Sequence, residues 1–138
     1  ALATAALYHD ASEILTGDLP TPIKYHNAEI MSAYHAVEDL AVQKLLGMLP
    51  PELRGTYADV LAEDKDGDIY PLVKAADKLS AYIKCIEERK AGNNEFLSAE
   101  AQTRAALEAS PLPEVQYFLE HFIPAFERDL DELGAIGQ

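Results

Sequence analysis

Apolar residues recur at every third or fourth position along almost the whole chain. This spacing matches the 3.6-residue period of an α-helix, and no stretch of useful length shows the strict alternation of a half-buried strand. Prolines and glycines interrupt the pattern at a few places where a helix cannot continue. The sequence therefore predicts an all-α protein, a compact multi-helix fold of five to seven helices with no sheet.

The helical segments are predicted at residues 1–15, 28–48, 52–63, 70–90, 95–109 and 114–133. Gly17 is expected to end the first helix, and Pro124 is expected to kink the last. Three helices carry a continuous apolar stripe that should face a core. These stripes are Ile30, Tyr34, Val37, Ala41, Leu45 and Met48; Leu72, Ala76, Leu79, Ile83 and Ile86; and Val115, Phe118, Leu119, Phe122, Phe126, Leu130 and Leu133.

The length of 138 residues is enough for one domain with its own core, so residues 1–138 are predicted to form a single domain. The chain opens on Ala-Leu-Ala-Thr-Ala-Ala-Leu, which has the pattern of the middle of a helix. We therefore expect further N-terminal helices to precede the first residue. No stretch approaches the roughly 20 apolar residues of a membrane span, so no membrane partner is expected.

The chain is strongly acidic, with 24 Asp and Glu against 11 Lys and Arg and a formal net charge of −13. A protein that binds a nucleic acid polymer needs a basic surface to displace counterions, so this class of partner is excluded. The single cysteine, Cys85, cannot form an internal disulfide. That fits a reducing, cytoplasmic location, and Cys85 is expected to be a small buried apolar side chain.

The polar pair His9-Asp10 lies inside the otherwise apolar first segment, and Glu13 and Asp18 follow it. Charged groups on an apolar helix face are costly to desolvate unless a partner compensates them. A His-Asp pair by itself is commonly only a surface pair, but this one lies between Leu7 and the apolar residues that follow. A bound divalent cation is one partner that would explain it.

A third metal ligand is predicted at Asp77, on the flank of the buried face of the 70–90 helix. Neighbouring residues on a helix point about 100° apart, so His9 and Asp10 can share an ion only at a helix edge, with a ligand from another helix. Imidazole and carboxylate ligands suit Mn, Co, Fe or Zn, and Mg where oxygen dominates. Glu13, one turn beyond His9, is placed to orient or deprotonate a water or to protonate a leaving oxygen.

The residues around these positions resemble the HD-domain phosphohydrolases, and among them the bacterial 5′-deoxynucleotidases of the YfbR type. The resemblance covers essentially the whole chain. It rests on His9-Asp10-Ala11-Ser12-Glu13, Thr16-Gly17-Asp18-Leu19-Pro20-Thr21-Pro22 with Lys24, Lys74-Ala75-Ala76-Asp77-Lys78-Leu79, Ala91-Gly92-Asn93-Asn94-Glu95-Phe96 and Phe122-Ile123-Pro124.

The resemblance implies an all-helical homodimer that hydrolyses deoxyribonucleoside 5′-monophosphates to deoxyribonucleoside and phosphate with a divalent metal such as Co, Mn, Mg, Zn or Fe. It implies His9, Asp10 and Asp77 as metal ligands, joined by a histidine that lies upstream of the first residue. It further implies Glu13 as the catalytic carboxylate and Asp18 as a substrate-contacting one.

The three other histidines and the two nearest lysines are interpreted as surface or packing residues. They are His26, His35 and His121, which do not match the upstream histidine motif, and Lys24 and Lys78, the basic residues nearest the proposed site.

Two other functions remain open from the sequence. The same metal site could serve another phosphohydrolase of this superfamily, one that acts on a nucleoside triphosphate or a cyclic nucleotide. Alternatively, the chain could be a non-catalytic helical module that binds a nucleotide or a second copy of itself.

Overall fold

The computed structural model describes residues 1–20, 23, 26–62 and 64–134. At positions 130 and 133 it describes the backbone only. Over the described residues, all the regular structure is α-helical, and the six helices of seven or more residues confirm the all-α prediction. The helices are α1 (Leu2–Tyr8), α2 (Glu13–Thr16), α3 (Ala28–Met48), α4 (Pro51–Leu61), α5 (Tyr70–Lys90), α6 (Leu97–Glu108), α7 (Pro113–His121), α8 (Ile123–Glu127) and α9 (Leu130–Gly134).

The long helices begin and end where the sequence predicts, because local side chains satisfy their ends. The Asn27 side chain accepts a hydrogen bond of 2.8 Å from the Ile30 N–H and so caps the start of α3. Pro51 occupies the first turn of α4, where its missing N–H costs nothing. Arg54 then donates to the carbonyls of Leu49 and Gly47, which lie at the end of α3.

The chain divides into two compact units, residues 1–73 and 74–138, with the boundary inside α5. In the first unit α1 packs against α4, while α2 and α4 pack against α3. Ala41 is buried on α3 as predicted, but Val37 and Met48 of the same predicted stripe are 49% and 69% exposed. Those two positions are wrong as core residues, because the face of α3 that α2 and α4 cover is narrower than the apolar stripe.

The second unit contains a continuous apolar core. Its buried members are Leu79, Tyr82, Ile86, Leu107, Val115 and Ile123. On α5 this core uses Tyr82, which is 1% exposed, whereas Ala76 of the predicted stripe is exposed. Tyr82 can be buried because its hydroxyl meets Arg104 Nη1 at 3.4 Å, which gives the polar tip a partner.

The single kinked helix predicted for residues 114–133 is wrong, because the structure forms α7, α8 and α9 in its place. Pro124 has no N–H to donate to the carbonyl four residues back, and its ring crowds that carbonyl, so the helix breaks at Phe122. Arg89 fixes the new segment: its Nη2 lies 2.7 Å from Glu127, while its Nε donates to both carboxylate oxygens of Glu100. The predicted core positions Leu130 and Leu133 lie outside the described side chains.

None of the helices in the described ranges is both long enough and apolar enough to cross a bilayer. The assignment of residues 1–138 to one domain stays a prediction, and each of the two units is described by itself below.

Candidate metal and active site

The segment that carries His9 and Asp10 is a turn between two helices, which corrects the prediction of one helix over residues 1–15. Helix α1 ends at Tyr8 and α2 begins at Glu13. Between them the backbone hydrogen bonds join residues three apart and not four apart as in an α-helix. The Ala11 N–H donates to the Tyr8 carbonyl at 3.0 Å, and the Glu13 N–H donates to the Asp10 carbonyl at 3.0 Å. Asp10 and Ser12 are residue types that favour such turns over a helix interior.

Two tyrosine contacts hold the helices on either side of this turn. The Tyr8 ring meets Tyr57 of α4 edge to face, with centroids 5.9 Å apart, and its hydrogen bond with Tyr57 raises the pKa of Tyr8. After the turn, the Tyr34 hydroxyl of α3 donates to the carbonyl of Gly17 at 3.2 Å. The turn is therefore anchored at both ends to the longer helices of the first unit. Sequence periodicity gave no sign of these supporting contacts, because they join residues that are distant along the chain.

His9 and Asp10 form a close pair with contrasting exposure. His9 Nε2 lies 3.6 Å from Asp10 Oδ1, and the side chains are 9% and 63% exposed, respectively. The imidazole is thus largely buried, while the carboxylate reaches solvent. His9 keeps helical dihedrals, φ −50° and ψ −46°, at which neighbouring side chains diverge by about 100°, and its Nε2 still lies close to the Asp10 carboxylate.

Glu13 and Asp18 follow the pair at opposite ends of α2. Glu13 is the first residue of the helix and is half-buried, whereas Asp18 is exposed just beyond its end. Gly17 ends α2 as predicted, with φ 70° and ψ 161°, a backbone conformation that is almost restricted to glycine. This conformation sets the direction in which the chain leaves toward Asp18.

Asp77 lies on α5 in the second unit, so its position is described apart from His9 and Asp10. Its side chain is 53% exposed, and its Oδ2 is 4.0 Å from the Nζ of Lys74 one helical turn earlier. The sequence placed Asp77 on the flank of a buried face. The structure instead places it on the exposed side of α5, where its carboxylate is open to solvent.

The donor atoms present suit a divalent ion. Two ligand atoms that each lie about 2.1 Å from one ion are separated by about 3.0–3.6 Å for angles of about 90–120°, which includes the His9–Asp10 distance of 3.6 Å. Residues 1–20 contain three carboxylates and no Lys or Arg, so the local charge also favours a cation. In the part of the chain that the structure describes, no group of three or more His, Cys, Asp or Glu side chains is arranged to hold an ion.

The remaining histidines have other surroundings. His26 is exposed, and His35 Nδ1 lies 2.8 Å from Glu38 Oε2. His121 packs beside Tyr117 with ring centroids 4.3 Å apart. Lys78 is exposed on α5, and Lys24 lies outside the described residues.

Comparison with known proteins places these residues in a family. A family model described as 5′-deoxynucleotidase YfbR-like matches residues 1–126. The 5′-deoxynucleotidase YfbR of Shigella flexneri is 53% identical over 134 residues, which are 96% of this chain and 67% of that protein. The protein of the same name from Escherichia coli strain K12 / DH10B is 52% identical over the same shares. The chain therefore belongs to the YfbR-like family of 5′-deoxynucleotidases.

Proposed function

We propose that this protein is a metal-dependent phosphomonoesterase that hydrolyses deoxyribonucleoside 5′-monophosphates to deoxyribonucleoside and phosphate. The observation that carries the proposal is the identity of 52–53% over 134 residues to proteins named 5′-deoxynucleotidase YfbR. The family-model match over residues 1–126 includes the segment in which His9, Asp10 and Glu13 lie.

We assign His9, Asp10 and Asp77 as ligands of a divalent ion, with Co, Mn, Mg, Zn and Fe as the candidates. The support is the chemistry of one imidazole and two carboxylates, together with the His9–Asp10 distance. When bound, such an ion supplies electrostatic stabilisation of the charge on the phosphoryl group. An acidic segment without Lys or Arg would otherwise repel a phosphate monoester dianion.

Glu13 is assigned as the group that moves the proton. Water attacks the phosphorus, the bond from phosphorus to the 5′-oxygen breaks, and the proton that the water loses must reach that leaving oxygen. A half-buried carboxylate at the start of α2 can accept the proton from the water and deliver it to the leaving oxygen. Asp18, exposed after Gly17, is assigned to hydrogen-bond the hydroxyl of the deoxyribose.

The proposal also includes a homodimer in the cytoplasm, with a small nucleotide as substrate and no nucleic acid polymer as partner. The support for the location is the single cysteine, which leaves no internal disulfide to form. The net charge of −13 argues against a polyanionic partner.

The test is phosphate release by the purified full-length protein from dAMP and dTMP, with AMP as comparison, in the presence of Mn²⁺ or Co²⁺. We expect free phosphate from the deoxynucleotides and much less from AMP. Release of pyrophosphate or triphosphate from a nucleoside triphosphate, or opening of a cyclic nucleotide, in place of this reaction would favour a different phosphohydrolase. No product from any of these substrates would leave only the non-catalytic module and would refute the proposal.

A pair of variants connects this activity to the assigned ligands. Asp77→Ala should abolish phosphate release, whereas Asp59→Ala, which removes an exposed aspartate from α4, should leave it unchanged. Both variants should keep the far-UV circular dichroism of the wild type, because both side chains are exposed. Full activity in the Asp77→Ala variant would show that the metal site is wrongly assigned.

A further inference from the structure

Two hydroxyl groups donate to one backbone carbonyl at the end of α2. The Tyr34 hydroxyl of α3 donates to the carbonyl oxygen of Gly17 at 3.2 Å, and the Thr16 hydroxyl donates to the same oxygen at 2.9 Å. A carbonyl oxygen has two lone pairs, so it can accept both bonds at once. Because Thr16 is the last residue of α2 and Tyr34 lies on α3, the carbonyl is held by two different helices.

The peptide unit that contains this carbonyl also contains the nitrogen of Asp18. The unit is trans and planar, so the direction of the Gly17 carbonyl fixes the direction of the Asp18 N–H and the path to the Asp18 Cα atom. Gly17 itself restrains the chain little, because glycine has a wide choice of φ and ψ and a Cβ atom added there would have no heavy atom within 4 Å. The two hydroxyl bonds therefore restrain the orientation of Asp18, which is exposed.

The docking of α2 on α3 does not depend on the Tyr34 hydroxyl alone. Helix α2 packs against α3, and removal of one hydroxyl leaves this packing in place. The tyrosine bond falls on the peptide just beyond α2, on the side that leads to Asp18. One exposed hydrogen bond changes a conformational equilibrium by only about two- to tenfold. Its loss should therefore loosen this peptide without unfolding the first unit.

We propose that Tyr34 is a positioning residue for substrate binding, which acts together with Thr16 to orient Asp18 toward the deoxyribose. The inference rests on the proposed function, in which Asp18 hydrogen-bonds the hydroxyl of the sugar. Tyr34 acts through the peptide after α2 and not through the metal ligands, because the His9–Asp10 pair lies before α2. A carboxylate that is already held in one orientation loses less conformational freedom on binding, so the substrate binds more tightly.

The first experiment measures phosphate release from dAMP with Mn²⁺ by the full-length protein over a series of substrate concentrations. Tyr34→Phe removes only the hydroxyl. It should raise KM about two- to tenfold, the effect of one hydrogen bond, and leave kcat and the affinity for Mn²⁺ unchanged. Thr16→Val removes the second hydroxyl and should raise KM in the same direction. The matched control is Tyr117→Phe, at a tyrosine of α7 that is 59% exposed, and it should change neither kcat nor KM.

The second experiment tests whether Tyr34 acts through Asp18. In an Asp18→Ala background, Tyr34→Phe should leave KM unchanged, because the carboxylate that the tyrosine positions is no longer there. The same fold rise in KM in both backgrounds would overturn the inference, and so would an unchanged KM in Tyr34→Phe alone. Weaker Mn²⁺ binding by Tyr34→Phe would also overturn it, because Tyr34 would then support the metal ligands.

A third measurement does not depend on activity. The NMR relaxation order parameter of the Asp18 N–H should be near the value of a rigid backbone, about 0.85, and should fall toward about 0.6 in Tyr34→Phe. Tyr117→Phe should keep the wild-type value. An unchanged order parameter in Tyr34→Phe would overturn the inference. A wild type that releases no phosphate would refute the proposed function, and the order parameter would still decide whether Tyr34 fixes Asp18.

Discussion

Substitution of Gly17 by alanine tests whether the end of α2 is fixed by backbone conformation. Gly17 has φ 70° and ψ 161°, and a Cβ atom added there would have no heavy atom within 4 Å. The cost is therefore conformational and not steric, about 1–3 kcal/mol for an L-residue in this region. We expect Gly17→Ala to lower the free energy of unfolding by that amount, which corresponds to about 4 °C in Tm for each kcal/mol.

Gly55→Ala is the matched control and should act in the opposite direction. Gly55 lies in the middle of α4 with ordinary helical dihedrals, and a Cβ there also has open space. The change should stabilise the protein by about 0.5–1 kcal/mol. Urea unfolding followed by far-UV circular dichroism measures both variants. Equal effects of the same sign would refute the argument from the dihedral angles at Gly17.

Three further predictions concern the core, the cysteine and the catalytic carboxylate. Ile86→Ala should lower the free energy of unfolding in urea by about 2–5 kcal/mol, because Ile86 is 0% exposed. The control Ile14→Ala, at a residue that is 77% exposed, should change it by less than about 0.5 kcal/mol. Equal changes in the two variants would contradict the assigned core. Burial, with smaller contributions from Glu100 and Glu88, raises the pKa of Cys85. Iodoacetamide should therefore react with Cys85 more slowly than with free cysteine at pH 8, and the rate should rise only at higher pH. A rate equal to that of free cysteine would contradict this. Glu13→Gln should lower kcat about 10²–10⁴-fold and leave the metal content unchanged. The control Glu29→Gln, in the first turn of α3, should have no effect on kcat. A fully active Glu13→Gln enzyme would show that Glu13 has no part in the mechanism.

The helix boundaries could be predicted from the sequence wherever a specific residue determines the end. Asn27 accepts the first bonds of α3, Pro51 begins α4, and Gly92, with φ 87°, follows the end of α5. The break at residues 9–12 could not be predicted. His9 keeps helical dihedrals, φ −50° and ψ −46°, so the apolar spacing of the sequence continues through the turn. Only the backbone hydrogen bonds differ, because they join residues three apart and not four apart.

The residues of the candidate site come from the sequence and stay a prediction, whereas their surroundings could not be predicted. The sequence predicts that His9 and Asp10 can reach one ion at a helix edge, and in the structure His9 Nε2 lies 3.6 Å from Asp10 Oδ1. The dipeptide alone does not predict that His9 is largely buried and Asp10 exposed, and the contacts of Tyr57 and Tyr34 beside this segment join residues that are distant in sequence. Such contacts leave no periodic pattern. The exposure of Asp77 was missed because the core of α5 combines Tyr82 with Leu79 and Ile86 of the predicted stripe and leaves Ala76, next to Asp77, exposed.

The assigned metal ligands are tested most directly by the binding of Mn²⁺ to the full-length protein and to its His9→Ala and Asp77→Ala variants, measured by equilibrium dialysis with elemental analysis. We expect one ion per chain in the wild type. Each variant should bind at least about tenfold more weakly, since loss of even a group behind a metal ligand costs about 10–100-fold. Asp59→Ala should bind as the wild type does. Unchanged Mn²⁺ affinity in both ligand variants would contradict the proposed site.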